Sequence, residues 1–361
     1  MAENLTSAIG VISGTSMDGI DVAMLRTDGR QHVEPGPGRT YPYDPALRRD
    51  LLALIADPER CEHDPLDALE DAVSDAHASA VRQFIADFAI DRVDVVGIHG
   101  QTILHRPERR FTRQLGRGPR IAAALGCDVV YRFRHADVAA GGEGAPFAPL
   151  YHQALAARLP QPVMVLNLGG VGNVTYIDGA EIVAFDTGPA SALLDDFVQR
   201  RRGLAYDADG ALAASGTVDT ALVARLMQHP YFARPAPKSL DRNDFHAWAQ
   251  AVDGLSDENG AATLAAFTVA SVVAAVPHVA RPPLRWLVTG GGRHNATFMR
   301  RLAATLGVPV DPVEAVGWHG DFIEAECFAY LAVRSLAGLP LSVPGTTGVP
   351  QPMPGGELCH P

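Results

Sequence analysis

The chain has 361 residues, 47% of them hydrophobic, and a formal net charge of −11. That length suits two domains with sizeable cores. The acidic balance, with no basic stripe, argues against a nucleic-acid partner, and the clusters Arg106–Arg113 and Arg200–Arg202 read as solvated surface. The opening MAENLTSAIG has neither a basic nor an apolar segment, so no signal peptide is expected. The longest apolar stretch, Ala261–Val276, is short for a membrane span. Cys61, Cys127, Cys327 and Cys359 lack C-x-x-C spacing, which suggests free thiols and neither a zinc site nor a disulfide framework. The expectation is a cytoplasmic protein with no membrane partner.

In chain order, Ala8–Ile12 and Ile20–Leu25 read as strands on either side of a turn, Gly14-Thr15-Ser16-Met17-Asp18-Gly19. The proline-rich stretch Pro35–Pro45 reads as a loop. Leu66–Phe88 repeats apolar residues every three or four positions and reads as a helix. Short apolar runs at Val93–Ile98, Val129–Phe133, Val163–Leu168, Val174–Ile177, Ile182–Phe185 and Trp286–Val288 read as buried strands. Ala190–Arg201, Glu258–Val276, Asn295–Leu306 and Glu324–Leu336 read as helices, with Gly307 and Gly338 as stops for the last two. Val343–Pro354 reads as a loop. Strands and helices mix in an α/β order, and the strand–glycine turn–strand pattern at 9–21 returns at 163–177, as two similar halves would produce.

The chemistry sits in the turns. Gly14 and Gly19 permit backbone angles closed to other residues. Thr15 and Ser16 add donors, and Asp18 and Asp21 can hold water or a metal, which makes this turn a candidate phosphate cradle. An ordinary Asp-Gly hairpin is the plainer alternative. Asn167-Leu168-Gly169-Gly170-Val171-Gly172-Asn173 lets a ligand approach the main chain. In Phe185-Asp186-Thr187-Gly188-Pro189 a strand runs into a helix N-terminus, which offers unpaired N–H groups to phosphate. There Asp186 is a candidate base, with helix capping as the alternative. Thr289-Gly290-Gly291-Gly292-Arg293-His294-Asn295 joins a strand to a helix and is a candidate cradle for a nucleotide. The chain has no P-loop and no dinucleotide fingerprint. His99-Gly100-Gln101-Thr102 is a candidate substrate contact, and so is the segment from Asp137 to the glycine-rich stretch around Glu143. Glu324 and Glu326 open a helix, where acidic charge suits the N-terminus.

Seven motifs carry a family resemblance. GTSMDGID at 14–21, HGQT at 99–102, RFRHADVAAGGEGAP at 132–146, NLGGVGN at 167–173, FDTGP at 185–189, TGGG at 289–292 and GTTGVPQP at 345–352 resemble, in order, those of anhydro-N-acetylmuramic acid kinases. The resemblance implies the two-domain actin-like, or sugar-kinase, fold built on ribonuclease H-like α/β domains, with an ATP cleft between them. The domains are expected at 1–140 with a returning 345–361, and at 141–344. It implies an enzyme that opens the 1,6-anhydro bridge of 1,6-anhydro-N-acetylmuramic acid with water and phosphorylates O6. The products would be N-acetylmuramic acid 6-phosphate and ADP, in peptidoglycan recycling.

By the same resemblance, Asp186 matches the catalytic base and Gly14, Thr15, Ser16, Met17, Asp18, Gly19, Ile20 and Asp21 match the ATP-phosphate loop. Further ATP contacts are expected at Gly169, Gly170, Asn173, Gly188, Gly290, Gly291, Gly292 and Asn295. Substrate contacts are expected at His99, Gln101, Thr102, Asp137 and Glu143, and Mg²⁺ ligands among Asp18, Asp21 and Glu324. A homodimer is the usual assembly. Three stretches depart from the family pattern. Ser191 stands where Asn is common, Glu143 and Phe147 stand in the G-G-Q-G-A-P-L stretch, and Leu240, Asp241 and Asn243 interrupt K-S-T-G-R-E, leaving Leu240 and Asp241 without an inherited role. The alternatives are a kinase of another anhydrosugar such as levoglucosan, or an ATP-gated binding protein without catalysis.

Overall fold

A computed structural model describes residues 5–14, 17, 19–240, 245, 248 and 250–361. The chain forms two compact units, Met1–Ala157 with Phe322–Pro361, and Arg158–Asp321. The strands in chain order are β1 Thr6–Ser13, β2 Ile20–Thr27, β3 Val33–Tyr41, β4 Val95–Arg106, β5 Phe111–Leu115, β6 Asp128–Tyr131, β7 Val163–Leu168, β8 Val171–Asp178, β9 Glu181–Pro189, β10 Arg285–Thr289, β11 Val310–Pro312 and β12 Glu357–Cys359.

The first unit holds a sheet ordered β12-β6-β4-β1-β2-β3, with β5 added to the far half of β4. β1, β2 and β3 form an antiparallel meander, with Ile9 opposite Met24 and Val22 opposite Arg39. β4 and then β6 run parallel to β1 on its other side. The second unit repeats this plan as β11-β10-β7-β8-β9. β7, β8 and β9 are the antiparallel meander, while β10 and β11 run parallel to β7. The ribonuclease H-like topology therefore occurs twice, as the repeated strand–turn–strand pattern anticipates.

Sequence dictates how each sheet is covered. β1 is buried on both faces, with Ala8, Ile9 and Val11 fully inaccessible, so it reads as a continuous apolar run. The helix Ile323–Leu336 packs on β1, β2 and β4. Gly10 and Gly97 allow its approach. A Cβ on Gly10 would lie 1.8 Å from the Ala325 carbonyl oxygen, and one on Gly97 2.2 Å from that of Phe328. The helix Asp67–Asp87 buries Val73, Ala80 and Phe84. In the second unit, Phe185, Phe197, Phe267, Trp286 and Phe298 build the core. The segment Asp257–His278 is long and apolar enough to cross a membrane, yet 67% of its most apolar 18-residue window is buried within the protein.

Two expectations change here. Pro35 and Pro37 lie in strand β3 rather than in a loop. β3 is the edge of its sheet, where a residue without an N–H costs no ladder bond. The units divide after Ala157 and after Asp321, rather than at 140 and 345. The helix Pro149–Ala156 belongs with the first unit, where Tyr151 donates to Glu326 on the helix Ile323–Leu336 at 2.8 Å. That helix, read as part of the second domain, covers the first sheet instead.

Candidate active site

The turn between β1 and β2 is tied down from beneath. Met17 takes the left-handed region at φ 57°, unusual for a residue with a side chain, and is buried. Its N–H donates to the Gly14 carbonyl at 3.2 Å, and its own carbonyl accepts from Arg48 Nε at 3.0 Å. Ser13 lies opposite Gln101 of β4, and Ser13 Oγ donates to Gln101 Oε1 at 2.5 Å. Gln101 Nε2 reaches the Gly14 carbonyl at 3.4 Å. Tyr43 donates to Ser13 Oγ at 2.7 Å and has His77 Nε2 at 3.3 Å. With the Tyr43 proton given to Ser13, His77 carries hydrogen on Nε2. Burial pushes His77 down to about 4 and Tyr43 up to about 12, so both are neutral at pH 7. Thr15, Ser16 and Asp18 lie outside the described residues. Ile20 is a buried residue of β2, and Asp21 accepts from Thr40 Oγ1 at 2.6 Å.

The other first-unit candidates divide into two kinds. His99 is 6% exposed, lies against Phe328, and accepts from Arg134 Nε at 2.9 Å through Nε2. Burial, with Arg134 adding, holds it far below its ordinary pKa, so it is a neutral ring beneath a guanidinium. Arg134 also donates to the Gly144 carbonyl and lies over the Phe147 ring. Asp137 is 2% exposed and accepts from Gly144 N at 2.7 Å, Thr347 Oγ1 at 2.6 Å and Ser342 Oγ. Its carboxylate anchors the glycine-rich loop and the C-terminal segment from inside, which leaves it poorly suited to a substrate contact. Glu143 accepts at its carbonyl from His105 Nε2 at 2.8 Å, and its N–H donates to Thr347 O at 2.7 Å. Thr102 is half-buried on β4, with Gln114 Nε2 at 3.5 Å from its hydroxyl.

In the second unit three glycine-bearing segments meet. The Gly169 carbonyl accepts from Ser191 N at 2.9 Å, and that of Gly170 from Ala190 N at 3.0 Å and Ala192 N at 3.3 Å. These N–H groups at the start of the helix Ser191–Arg202 are thus committed to the turn, not open to a ligand. Gly290 has φ 77°, and a Cβ there would lie 2.2 Å from Asn167 Oδ1 and 2.8 Å from the Leu168 main chain. A Cβ on Gly292 would lie 2.6 Å from Leu168 Cβ and 3.1 Å from Ser191 Oγ, whereas one on Gly291 meets nothing within 4 Å. Arg293, missed in the sequence although it follows the triple glycine directly, fastens this turn. It donates to the Gly290 carbonyl at 3.0 Å, Glu314 at 2.9 Å and Asp321 at 2.6 Å. Asn295 caps the helix Ala296–Leu306 by accepting from Thr297 N and Phe298 N, both at 3.0 Å. That capping occupies the side-chain oxygen expected to meet a nucleotide.

Asp186 lies within β9, opposite Asn173 of β8, where the ladder register shifts. It is three residues short of the strand end, not at a helix cap. Its Oδ2 accepts from Leu240 N at 2.8 Å. Gly188 packs against Ser271, where a Cβ would lie 2.8 Å from the serine Cβ. Glu324 is exposed near the start of its helix, while Glu326 is fully buried. Among the described residues no three His, Cys, Asp or Glu side chains gather as a metal site.

A family model for anhydro-N-acetylmuramic acid kinase matches residues 6–360. The chain is 54% identical to the anhydro-N-acetylmuramic acid kinase of Rhodospirillum rubrum over 352 residues, covering 97% of this chain and 93% of that one. It is 52% identical to that of Acidiphilium cryptum, covering 98% of each. Among solved structures it is similar to (R)-2-hydroxyglutaryl-CoA dehydratase component A of Acidaminococcus fermentans, with a TM-score of 0.49 and 10% identity over 92% of this chain and 99% of that one. By the family match and these near full-length relatives, this chain belongs to the anhydro-N-acetylmuramic acid kinase family.

Proposed function

We infer that this family member is an ATP-dependent kinase acting on 1,6-anhydro-N-acetylmuramic acid in peptidoglycan recycling, with Asp186 as its base. The observation that supports the residue assignment is the Asp186 side chain in the family's D-T-G-P motif, whose Oδ2 accepts from the Leu240 N–H at 2.8 Å. In this reading Asp186 takes a proton from a water whose oxygen bonds to C1. The C1–O6 bond breaks, and O6 with its electron pair attacks the γ-phosphorus of ATP. The β–γ bridge then opens to release ADP, leaving N-acetylmuramic acid 6-phosphate. The proton on Asp186 is later released to solvent.

Phosphoryl transfer relies on positioning and charge neutralisation. The turns at Gly14–Asp21, Gly169–Gly170 and Gly290–Gly292 are the segments we assign to ATP. Gly291, with open space at its Cα, is the position of the last turn best suited to a close ligand. Mg²⁺ would neutralise phosphate charge, with Asp21 and the undescribed Asp18 as first candidates and Glu324 as a third. His99 with Arg134, Gln101, Thr102 and Glu143 are the first-unit candidates for the sugar. We assign the protein to the cytoplasm, where ATP is at hand, and a homodimer is the assembly that the family implies.

The test is ADP release with Mg-ATP and 1,6-anhydro-N-acetylmuramic acid, beside levoglucosan and a no-sugar control. Turnover with the muramic sugar alone is expected, and Asp186→Asn should lower kcat by about 10²–10⁴-fold with ATP binding retained. Normal turnover by that variant overturns the base assignment. Turnover with levoglucosan alone moves the substrate.

A further inference from the structure

β9 is the edge of the second sheet, so main-chain groups on its outer side have no strand to meet. In an antiparallel pair, one residue's N–H and C=O point to the same side. At Asp186 both point outward, and both are met by one segment. Asp186 N donates to the Lys238 carbonyl at 2.9 Å. The Tyr231 hydroxyl donates to the Asp186 carbonyl at 2.5 Å. Leu240 N then reaches the side chain itself, at Oδ2.

The segment is fastened to itself and to the core. Lys238 Nζ donates to the carbonyls of Tyr231 at 3.3 Å and Phe232 at 3.4 Å, closing the segment on itself. It also lies 4.8 Å from the Tyr231 ring centroid. Lys238 and Tyr231 are 5% and 3% exposed, a burial that a lysine takes only at a cost. Burial, with Arg234 adding, lowers the Lys238 pKa. Tyr231 and Phe232 both pack on Phe245, and Phe245 on Phe267 of the core helix Asp257–Val273. The chain from Tyr231 to Leu240 thus connects the hydrophobic core to three atoms of Asp186.

We propose that Tyr231, Lys238 and the Leu240 main chain are positioning elements for Asp186, fixing the direction of its carboxylate and keeping it ionised. This rests on reading Asp186 as the base. None of the three groups touches substrate in this account. Tyr231 and Lys238 set the main chain at Asp186, and the Leu240 N–H sets the side chain. Among the described residues, the charged and titratable groups around this edge include His229, whose Nδ1 accepts from Tyr231 N at 3.1 Å, Arg234, beside the Tyr231 ring, and His278, beside Phe185. Leu240 is the first residue that interrupts the K-S-T-G-R-E pattern. Its contribution to Asp186 is a main-chain N–H, which a change of side chain there leaves in place.

The experiment compares Tyr231→Phe, Leu240→Ala, Leu240→Pro and Asp186→Asn in ADP-release assays over pH. Tyr231→Phe keeps the ring and loses the bond to the Asp186 carbonyl. It should lower kcat by about 10–100-fold with the KM for ATP unchanged. Leu240→Ala keeps the N–H and should retain the wild-type pH profile. Leu240→Pro removes the N–H, so the carboxylate protonates more readily and the acid limb of kcat should move up by about one pH unit. Circular dichroism confirms that each variant is folded, and should Leu240→Pro not fold, Tyr231→Phe decides alone. Wild-type kcat and pH profile in the folded variants, with Asp186→Asn inactive, would overturn the positioning role and leave the base intact. Activity in Asp186→Asn would instead remove the base reading itself.

Discussion

Two turns occupy the same place in a repeated topology, and they are held by different means. Ser13 closes β1 opposite Gln101 of the parallel β4, and Asn167 near the end of β7 lies opposite Thr289 of the parallel β10. In the first unit the tie is made by side chains, running from Gln101 through Ser13 to Tyr43 and His77. In the second it is made by close main-chain approach at Gly290 and by Arg293 from outside. A side-chain network can be adjusted one group at a time, and it depends on the protonation state of its members. A glycine contact depends on the absence of a single methyl group and is indifferent to pH.

Acid should separate the two most strongly. Burial pushes His77 and His105 down to about 4 and His152 to about 3, and all three lie in the first unit. With folded values below the unfolded 6.5, the unfolded chain binds more protons between the two. Their stabilisation is therefore complete above pH 6.5 and falls as pH drops towards 4. By pH 4.5 each has lost about 3 kcal/mol, together comparable with the whole stability of a domain. Hydrogen exchange at pH 4.5 should show the first unit losing protection before the second. Simultaneous loss would break the contrast.

Next in size is Gly290→Ala, which combines a left-handed φ with a clash against main chain. It should cost about 3 kcal/mol in urea unfolding, while Gly291→Ala should stay within about 0.5 kcal/mol. Equal effects would mean that the close approach does not hold the turn. Tyr43→Phe should be milder, about 2 kcal/mol, because it removes one bond to Ser13 and leaves the His77 Nε2–H unpaired. A raised KM for ATP in that variant would link the network to the phosphate turn, whereas unchanged ATP affinity would limit it to stability.

Much of this molecule is legible in its sequence, because the relevant signals are local. The strand boundaries at Val163 and Leu168 and the helix stop at Gly307 follow from runs of apolar residues and from a glycine. The repeated glycine turns announce the repeated topology. β3 was hidden because Pro35 and Pro37 signal a loop unless the strand is known to lie at an edge. β5 and β12 are too short to carry a pattern. Site residues were legible as types at turns, yet their partners were not. Gln101 finds Ser13, and Asp186 finds Tyr231 and Leu240, across chain separations that no periodicity encodes. Asp137 shows the same dependence on distant partners. A carboxylate beside a glycine-rich loop suggests a ligand contact, but its oxygens turn inward to Gly144, Ser342 and Thr347.

The helix over β1, β2 and β4 has one more consequence, for the order in which the protein is made. The second unit is an unbroken stretch, Arg158–Asp321, whereas the first is completed only by Phe322–Pro361. During translation the later unit therefore acquires its whole core first. The earlier sheet waits with one apolar face bare until Ile323–Leu336 has left the ribosome, the kind of exposed intermediate that aggregates or recruits chaperones. A nonsense mutation after Asp321 would thus leave the second unit whole and yet undo the unit that was synthesised first.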